Sequence, residues 1–132
     1  MLIITGGQWD ALTFAFAAGW LGYRCAWPPG VCVIGLRGDA SSNVFLRHYA
    51  PYWPAAANCL LLPDNDASGA RWMEGADSFA HRLAARCRKV SVVKCGGHKD
   101  FNDLYRASGI SPWEIAEFLA SHGMPIQEEA AK

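Results

Sequence analysis

Four short apolar runs, each ending at turn residues, constrain the fold of this chain more than any other feature of its sequence. They are Leu2–Thr5 and residues 31–34, 59–62 and 90–93. Short runs that are apolar throughout, without alternation, are typical of strands covered on both faces, as in parallel sheets. We therefore predict four strands of a mainly parallel sheet.

Helical segments lie between and after these runs. We predict helices at residues 9–18, 43–52, 67–88 and 102–107 and at Pro112–Ser121. The cap of the second is expected among Ser41, Ser42 and Asn43, and the buried face of the third among Trp72, Ala76, Phe79, Leu83 and Ala84. Ser111, Pro112 and Glu114 give the last helix a cap, a first-position proline and a capping box. This alternation predicts an α/β fold with right-handed crossovers.

Residues 20–30, with a Pro-Pro-Gly sequence, are expected to form a loop or a short hairpin. The length of 132 residues suits one domain, which we place at residues 1–123, followed by a polar and disordered tail at 124–132. The chain is 52% hydrophobic and 18% charged, which excludes a disordered protein. Because a strand begins almost at once, we expect a domain cut from a longer polypeptide or a small stand-alone version of one.

Charge and cysteine content limit the possible partners and location. Twelve basic residues balance twelve acidic ones, so a basic footprint for nucleic acid covering the whole domain is absent. The five cysteines are dispersed, with no spacing typical of zinc ligands, and we expect reduced thiols in a cytoplasmic protein. No apolar run reaches the length of a membrane span, so no membrane partner is expected.

Two aspartates follow the third predicted strand directly. In an extended backbone Asp64 and Asp66 project to the same side, roughly 6–7 Å apart. Two carboxylates this close repel each other unless a cation lies between them, and Mg²⁺ suits one or two carboxylates with water and phosphate. The alternative is that Asp66 only caps the following helix. The pair alone leaves both interpretations open.

Three segments together resemble the Toprim family. Residues 63–69, PDNDASG, resemble the family's "DNDxAG" signature, and residues 97–104, GHKDFNDL, resemble the "GKDxND" segment of phage and plasmid primases and primase-helicases. Residues 5–12, TGGQWDAL, match the first motif, "EGxxDAL", at all but its first position. The three occur in the family's order and cover about residues 2–107.

This resemblance implies a Toprim (Rossmann-like) fold and a domain that uses Mg²⁺ or Mn²⁺ to act on nucleic-acid phosphodiesters. The leading expectation is a primase-type nucleotidyltransferase that makes primers from nucleotides on single-stranded DNA, alongside a helicase or other primase domains. The expected catalytic and metal-binding residues are Asp64, Asp66 and Asp100. Phosphate contacts are expected from Lys99, Arg37 and Gly7, with Asp10, Asn102 and Asp103 in support. From the residues alone, Arg37 is nearly as well explained as part of a surface turn.

One position departs from the family pattern. The first motif begins with a glutamate that binds metal or acts as acid and base, and this chain has Gly6 there. Glycine can do neither, so enzymatic activity is left open. The alternatives are a degenerate Toprim module that binds nucleic acid or a protein, and, less favoured, a nuclease of the OLD type. Metal-dependent activity gained on Gly6→Glu would indicate that the natural chain has lost catalysis.

Overall fold

A four-stranded sheet forms the centre of the molecule, and all its strands are parallel. The computed structural model describes residues 1–22, 26–53 and 57–123. Its strands are β1 (Leu2–Thr5), β2 (Cys32–Gly35), β3 (Asn58–Leu62) and β4 (Lys89–Val92), in the order β2-β1-β3-β4. The predicted α/β fold class is confirmed, and each predicted strand is correct to within one residue.

Six helices flank the sheet within the described residues. They are α1 (Gln8–Ala17), α2 (Gly38–His48), α3 (Ala67–Arg71), α4 (Phe79–Ala84), α5 (Phe101–Ser108) and α6 (Pro112–Ser121), with a 3-10 turn at Ala50–Tyr52. The prediction for α6 is confirmed together with its capping box, in which the Ser111 side chain accepts from the amide of Glu114 and the Glu114 carboxylate accepts from that of Ser111. No helix in these parts of the chain is long and apolar enough to cross a membrane.

The prediction of one long helix over residues 67–88 is wrong, because the chain forms the two short helices α3 and α4 instead. Gly75 between them has a φ of +86°, a left-handed conformation that a continuous helix does not contain, and the Ser78 side chain accepts from the amide of His81 to cap α4. Ala76 and Ala84 are exposed, so their predicted burial is also wrong. Trp72, Phe79 and Leu83 are buried as predicted.

The second helix begins earlier than predicted. It was expected at residues 43–52, with a cap at Ser41, Ser42 or Asn43, but α2 starts at Gly38 and the 3-10 turn covers the predicted end. Gly38 has a φ of +71°, which allows a sharp turn just after β2. Of the predicted loop at 20–30, residues 20–22 and 26–30 contain neither helix nor strand, whereas 23–25 and the predicted tail at 124–132 lie outside the described residues.

Two apolar clusters cover the two faces of the sheet. On one face, side chains of β1 and β3 pack against α2, α3 and α4, through residues that include Ile4, Leu61, Phe45, Trp72 and Leu83. On the other face they pack against α1, α5 and α6, through residues that include Ile3, Leu60, Phe14, Phe101 and Leu119. The result is a three-layer arrangement in which β1 and β3 are buried on both faces, while the edge strands β2 and β4 are more accessible.

The strand order creates a switch point between β1 and β3. From β1 the chain moves outward to β2 and then returns past β1 to β3 and on to β4. The connections that leave β1 and β3 therefore diverge in opposite directions and on opposite faces. In open α/β sheets the crevice at the carboxyl ends of two such strands is where ligands bind. Here Gly6 and Asp64 follow those two ends.

Candidate functional site

The carboxylate of Asp64 lies directly against the backbone of Gly6. The Gly6 amide donates to the Leu62 carbonyl over 3.2 Å, which extends the pairing of β1 and β3 beyond the strands. A Cβ atom added at Gly6 would lie 2.3 Å from Asp64 Oδ1 and 2.6 Å from its Cγ. In this orientation the Asp64 carboxylate occupies the space of a Cβ atom at position 6, so a side chain there would require Asp64 to rotate. Glycine at this position allows the close approach.

Gly69 supports Asp64 from the other side. A Cβ atom at this buried glycine would lie 1.8 Å from the backbone oxygen of Asp64, far inside van der Waals contact. The first turn of α3 therefore packs directly on the backbone of Asp64. The sequence shows a glycine early in a helix, but not the close approach that requires it.

Asp66 caps α3, as the alternative interpretation of the sequence proposed. Its Oδ1 accepts from the Gly69 amide over 2.8 Å, and its backbone is extended, as at a typical N-cap. The side chain is otherwise exposed. Capping occupies one carboxylate oxygen and leaves the second oxygen of the group outside that hydrogen bond, so a cap and a metal ligand are compatible roles.

Asp100 has the same role at the next helix of the site. Its Oδ1 accepts from the Asp103 amide over 2.8 Å and caps α5. Asp10, on α1, reaches the same helix end, where its Oδ1 accepts from the Asn102 amide over 2.9 Å. Thr13 Oγ1 donates to the Asn102 side chain over 3.0 Å. Asp10, Thr13 and Asn102 thus fasten α1 to the start of α5.

A backbone hydrogen bond joins the two loops that carry the acidic residues. The Asn65 amide donates to the Lys99 carbonyl over 2.6 Å. This bond holds the segment after β3 against the segment before α5, and so brings Asp64 and Asp100 into one cluster. Lys99 is exposed, and its ammonium charge acts on the Asp64 carboxylate.

The pKa of the Asp64 carboxyl is shifted by its position in this cluster. Partial burial, followed by the charges of Asp10, Asp66 and Asp100, raises its pKa from 3.8 to about 6, and Lys99 only partly opposes the rise. Asp10, Asp66 and Asp100 therefore lie close enough to Asp64 for their charges to act on its carboxylate. Such a cluster favours a bound proton or a bound cation.

Two further groups experience the same negative field. Burial, opposed by the hydrogen bond from Asn102 and assisted by Asp100 and Asp103, raises the pKa of Asp10. Burial together with the charges of Asp10, Asp100 and Asp64 raises the pKa of the Cys95 thiol to about 11. Cys95 was not predicted as part of the site, because nothing in the sequence places a buried thiol beneath the aspartates.

The remaining predicted residues lie around this cluster. Gly7 is the N-cap of α1, at the crevice between β1 and β3. Arg37 is exposed and is the N-cap of α2, one strand away from the aspartates. Asp103 lies in the first turn of α5.

A cleft of about 210 Å³ opens beside the two signature aspartates. It lies between the starts of α2 and α3, and it is lined by Gly6, Gly38, Asp64, Asp66, Ser68, Gly69 and Trp72. Sequence reasoning missed Gly38, Ser68 and Trp72. Trp72 was predicted only as a core residue, and it does pack against Phe79 with ring centroids 5.1 Å apart.

The donor chemistry suits a hydrated Mg²⁺ better than a fully protein-ligated metal. In the part of the chain that the structure describes, no three His, Cys, Asp or Glu side chains converge as a ready-made metal centre. The groups at the cluster are carboxylates, and Mg²⁺ commonly takes one or two of these and retains several waters. The arrangement therefore fits an ion held by Asp64 with a second aspartate, directly or through water.

The chain matches no protein-family model, no curated protein and no solved structure with which it was compared. The resemblance to the Toprim family therefore depends on the three motifs. Their positions in the fold are the additional observation: each of the three lies at the carboxyl end of the sheet, and two lie at the switch point.

Proposed function

We propose that this chain is a Toprim-type domain that binds Mg²⁺ or Mn²⁺ at Asp64 and acts on the phosphodiester groups of nucleic acids. The observation that supports this proposal most is the position of Asp64. Its carboxylate lies at the switch-point crevice, and partial burial, assisted by the charges of three other aspartates, raises its pKa. A divalent cation would relieve that repulsion, and a cation at a crevice of this kind can hold the phosphate of a ligand.

Each residue of the cluster has a role in this proposal. Asp64 and Asp66 bind the ion, and Asp100 acts on it through a water molecule. Lys99, exposed beside them, contacts a phosphate oxygen. The ion, when bound, would neutralise charge on the phosphate and orient a 3′ oxygen. The start of α1 at Gly7 provides backbone amides for a second phosphate contact.

The reaction class that we favour is primase-type nucleotidyl transfer, with single-stranded DNA as template and nucleotides as substrates. A helicase or the other domains of a primase would be its partners. The motif at residues 97–104 supports this class over a nuclease of the OLD type. Template-dependent synthesis, measured against degradation of the same DNA, distinguishes the two.

The contact between Gly6 and Asp64 favours a second candidate, a module that binds metal and nucleic acid without catalysis. With Asp64 Oδ1 only 2.3 Å from the position of a Cβ at residue 6, the first motif has no room for an acid while Asp64 keeps this orientation. Because residue 6 is a glycine, the chain lacks at this position the glutamate that the family uses as acid and base. Metal-dependent binding of single-stranded DNA without synthesis would support this candidate.

Calorimetric titration with Mg²⁺ and Mn²⁺ tests the site itself. We expect the natural chain to bind and the double variant Asp64→Asn/Asp66→Asn to lose binding. Asparagine is also a good N-cap, so the variant removes charge while keeping the start of α3. Asp77→Asn is the matched control, because Asp77 is exposed in the connection between α3 and α4. Equal binding by all three proteins would refute the site.

Substitution at Gly6 tests the role of its contact with Asp64. Because an added Cβ would force Asp64 to rotate, we expect Gly6→Ala to weaken Mg²⁺ binding several-fold, and Gly6→Glu to behave no better. The same calorimetric titration measures both variants, and a primer-synthesis assay accompanies it. Gain of metal-dependent synthesis by Gly6→Glu would contradict this expectation and show that the cluster accepts an acid at that position.

A further inference from the structure

A mainly apolar cavity lies on the face of the sheet that α5 and α6 cover. Its volume is about 250 Å³. Its walls include aliphatic and aromatic side chains from the end of β3 and from both helices, namely Leu62, Phe101, Leu104, Ile115 and Phe118. Leu104 and Phe118 are only partly buried, so the cavity opens to solvent. Among the described residues, none lines both this cavity and the cleft between the starts of α2 and α3.

The cavity adjoins the acidic cluster at the carboxyl ends of β3 and β4. Leu62 ends β3 two residues before Asp64, and Phe101 begins α5 directly after its cap, Asp100. Lys94, which is exposed just beyond β4, lines the cavity and also a smaller recess that Asp64 lines. The Lys94 side chain therefore lies between the aspartates and the cavity.

The lining of the cavity suits a flat and weakly polar group. Pockets for drug-sized ligands begin at roughly 300 Å³, so this cavity suits a smaller group, and planar rings stack favourably on aromatic side chains such as Phe118. Glu114, also at the cavity, provides one polar acceptor. Its Oε2 accepts from the amide and the hydroxyl of Ser111, both over 2.7 Å, which leaves Oε1 outside these hydrogen bonds. Oε1 can therefore accept from an N–H at the edge of a ring.

We propose that this cavity binds the base of a nucleoside triphosphate whose phosphates lie at Lys94 and at the cation of the acidic cluster. This inference rests on the proposed function, because that cation would hold the phosphates. A nucleotide carries charged groups at one end and a flat, mainly apolar ring at the other, and the aspartates, Lys94 and the cavity follow one another in the same order. An apolar ligand without phosphate would leave Lys94 unused, and a bare polyphosphate would leave the cavity unused.

Calorimetric titration of the full chain with ATP and with inorganic tripolyphosphate, both in Mg²⁺, separates the base from the phosphates. Tripolyphosphate has the phosphate chain without the base or the sugar. We expect ATP to bind about tenfold more tightly than tripolyphosphate, since stacking and apolar burial contribute to ATP binding alone. Equal affinities would overturn the base site and leave the proposed function intact. If neither compound bound, both proposals would fail.

Filling the cavity tests whether the base lies in it. Ile110 lines the cavity from the connection between α5 and α6 and is partly buried. We expect Ile110→Trp to reduce the affinity for ATP to that for tripolyphosphate, and to leave the affinity for tripolyphosphate unchanged. Leu12→Trp is the matched control, because Leu12 is half-exposed on α1, outside the cavity, and it should change neither affinity. Undiminished ATP binding by a folded Ile110→Trp variant would refute the assignment.

Photocrosslinking with 8-azido-ATP locates the base without any substitution. We expect the label on the segments that line the cavity, residues 93–95 and 101–118, and we expect excess ATP to prevent labelling. Circular dichroism of Ile110→Trp shows whether that variant folds, and the crosslink decides the location if it does not. A label confined to other parts of the chain would overturn the proposal.

Lys94→Ala tests the link between the cavity and the cation site. Because Lys94 contacts the phosphates in this proposal, its loss should weaken the binding of ATP and of tripolyphosphate alike, by several-fold. Lys89→Ala removes the same charge from an exposed position at the opposite end of β4 and should change neither affinity. Both variants should still bind Mg²⁺ when no nucleotide is present. If Lys94→Ala left both affinities unchanged, the cavity would not be joined to the cation site and the proposal would fail.

Discussion

Gly69→Ala is expected to lower the free energy of unfolding by about 3 kcal/mol or more. The new Cβ would lie 1.8 Å from the backbone oxygen of Asp64. Backbone atoms on both sides would have to move, since neither belongs to a flexible side chain. Urea denaturation, followed by circular dichroism, measures the loss. Mg²⁺ binding should weaken as well, because α3 and Asp64 would separate.

Gly97→Ala is the matched control for this substitution. A Cβ atom at Gly97 has no neighbour within 4 Å, and this glycine is not among those with a positive φ. Its substitution should change stability by less than about 0.5 kcal/mol. Similar losses in both variants would mean that α3 does not pack on Asp64 as the structure has it.

Asp64→Asn is expected to stabilise the metal-free protein above pH 6. In the folded chain the pKa of Asp64 is about 6, whereas the ordinary pKa of an aspartate is 3.8. Between these values only the native state keeps the proton, so stability falls as the pH rises through this window, and the full cost remains above it. Removing the charge should recover about 1–2 kcal/mol at pH 7.5, after allowance for the solvent exposure of Asp64.

Thermal unfolding in the presence of a chelator, at pH 4 and at pH 7.5, measures this effect. The difference between Asp64→Asn and the natural chain should be present at pH 7.5 and nearly absent at pH 4, where both side chains are neutral in the native state. Asp77→Asn should show no such dependence. Addition of Mg²⁺ should stabilise the natural chain more than the variant. If Asp64→Asn were less stable than the natural chain at pH 7.5, that result would contradict an unfavourable charge at Asp64.

Sequence patterns predicted the strands well because burial on both faces of the sheet leaves a direct signal in the sequence. A run buried on both faces must be apolar throughout, and such runs mark β1 and β3 directly. The helix at residues 67–88 was predicted wrongly because its apolar residues recur at helical spacing on both sides of the break. Gly75 and the capping Ser78 are the residues that mark the break, and the helical spacing of the apolar residues continues across them.

The motifs predict a site at Asp64, Asp66 and Asp100, and its binding function stays a prediction. The strand order brings the loops that carry these residues to the same end of the sheet. What sequence could not supply is the contact of Asp64 with Gly6 and Gly69, since these approaches depend on distances of a few tenths of an ångström between distant segments. The thiol of Cys95 and the indole of Trp72 were missed for the same reason.

Asp66 and Asp100 each cap a helix through one carboxylate oxygen, and this gives them a reason to persist that is separate from any ligand. A descendant of this chain that no longer needed a cation would still lose helix stability on replacing either residue with an apolar one. Asp64 has the opposite effect on stability, because its negative charge lowers the stability of the folded chain whenever no cation is present. Selection for folding alone would retain the two caps and would readily replace Asp64 with asparagine. Among related chains, therefore, the residue at position 64 is the one whose identity reports a working site.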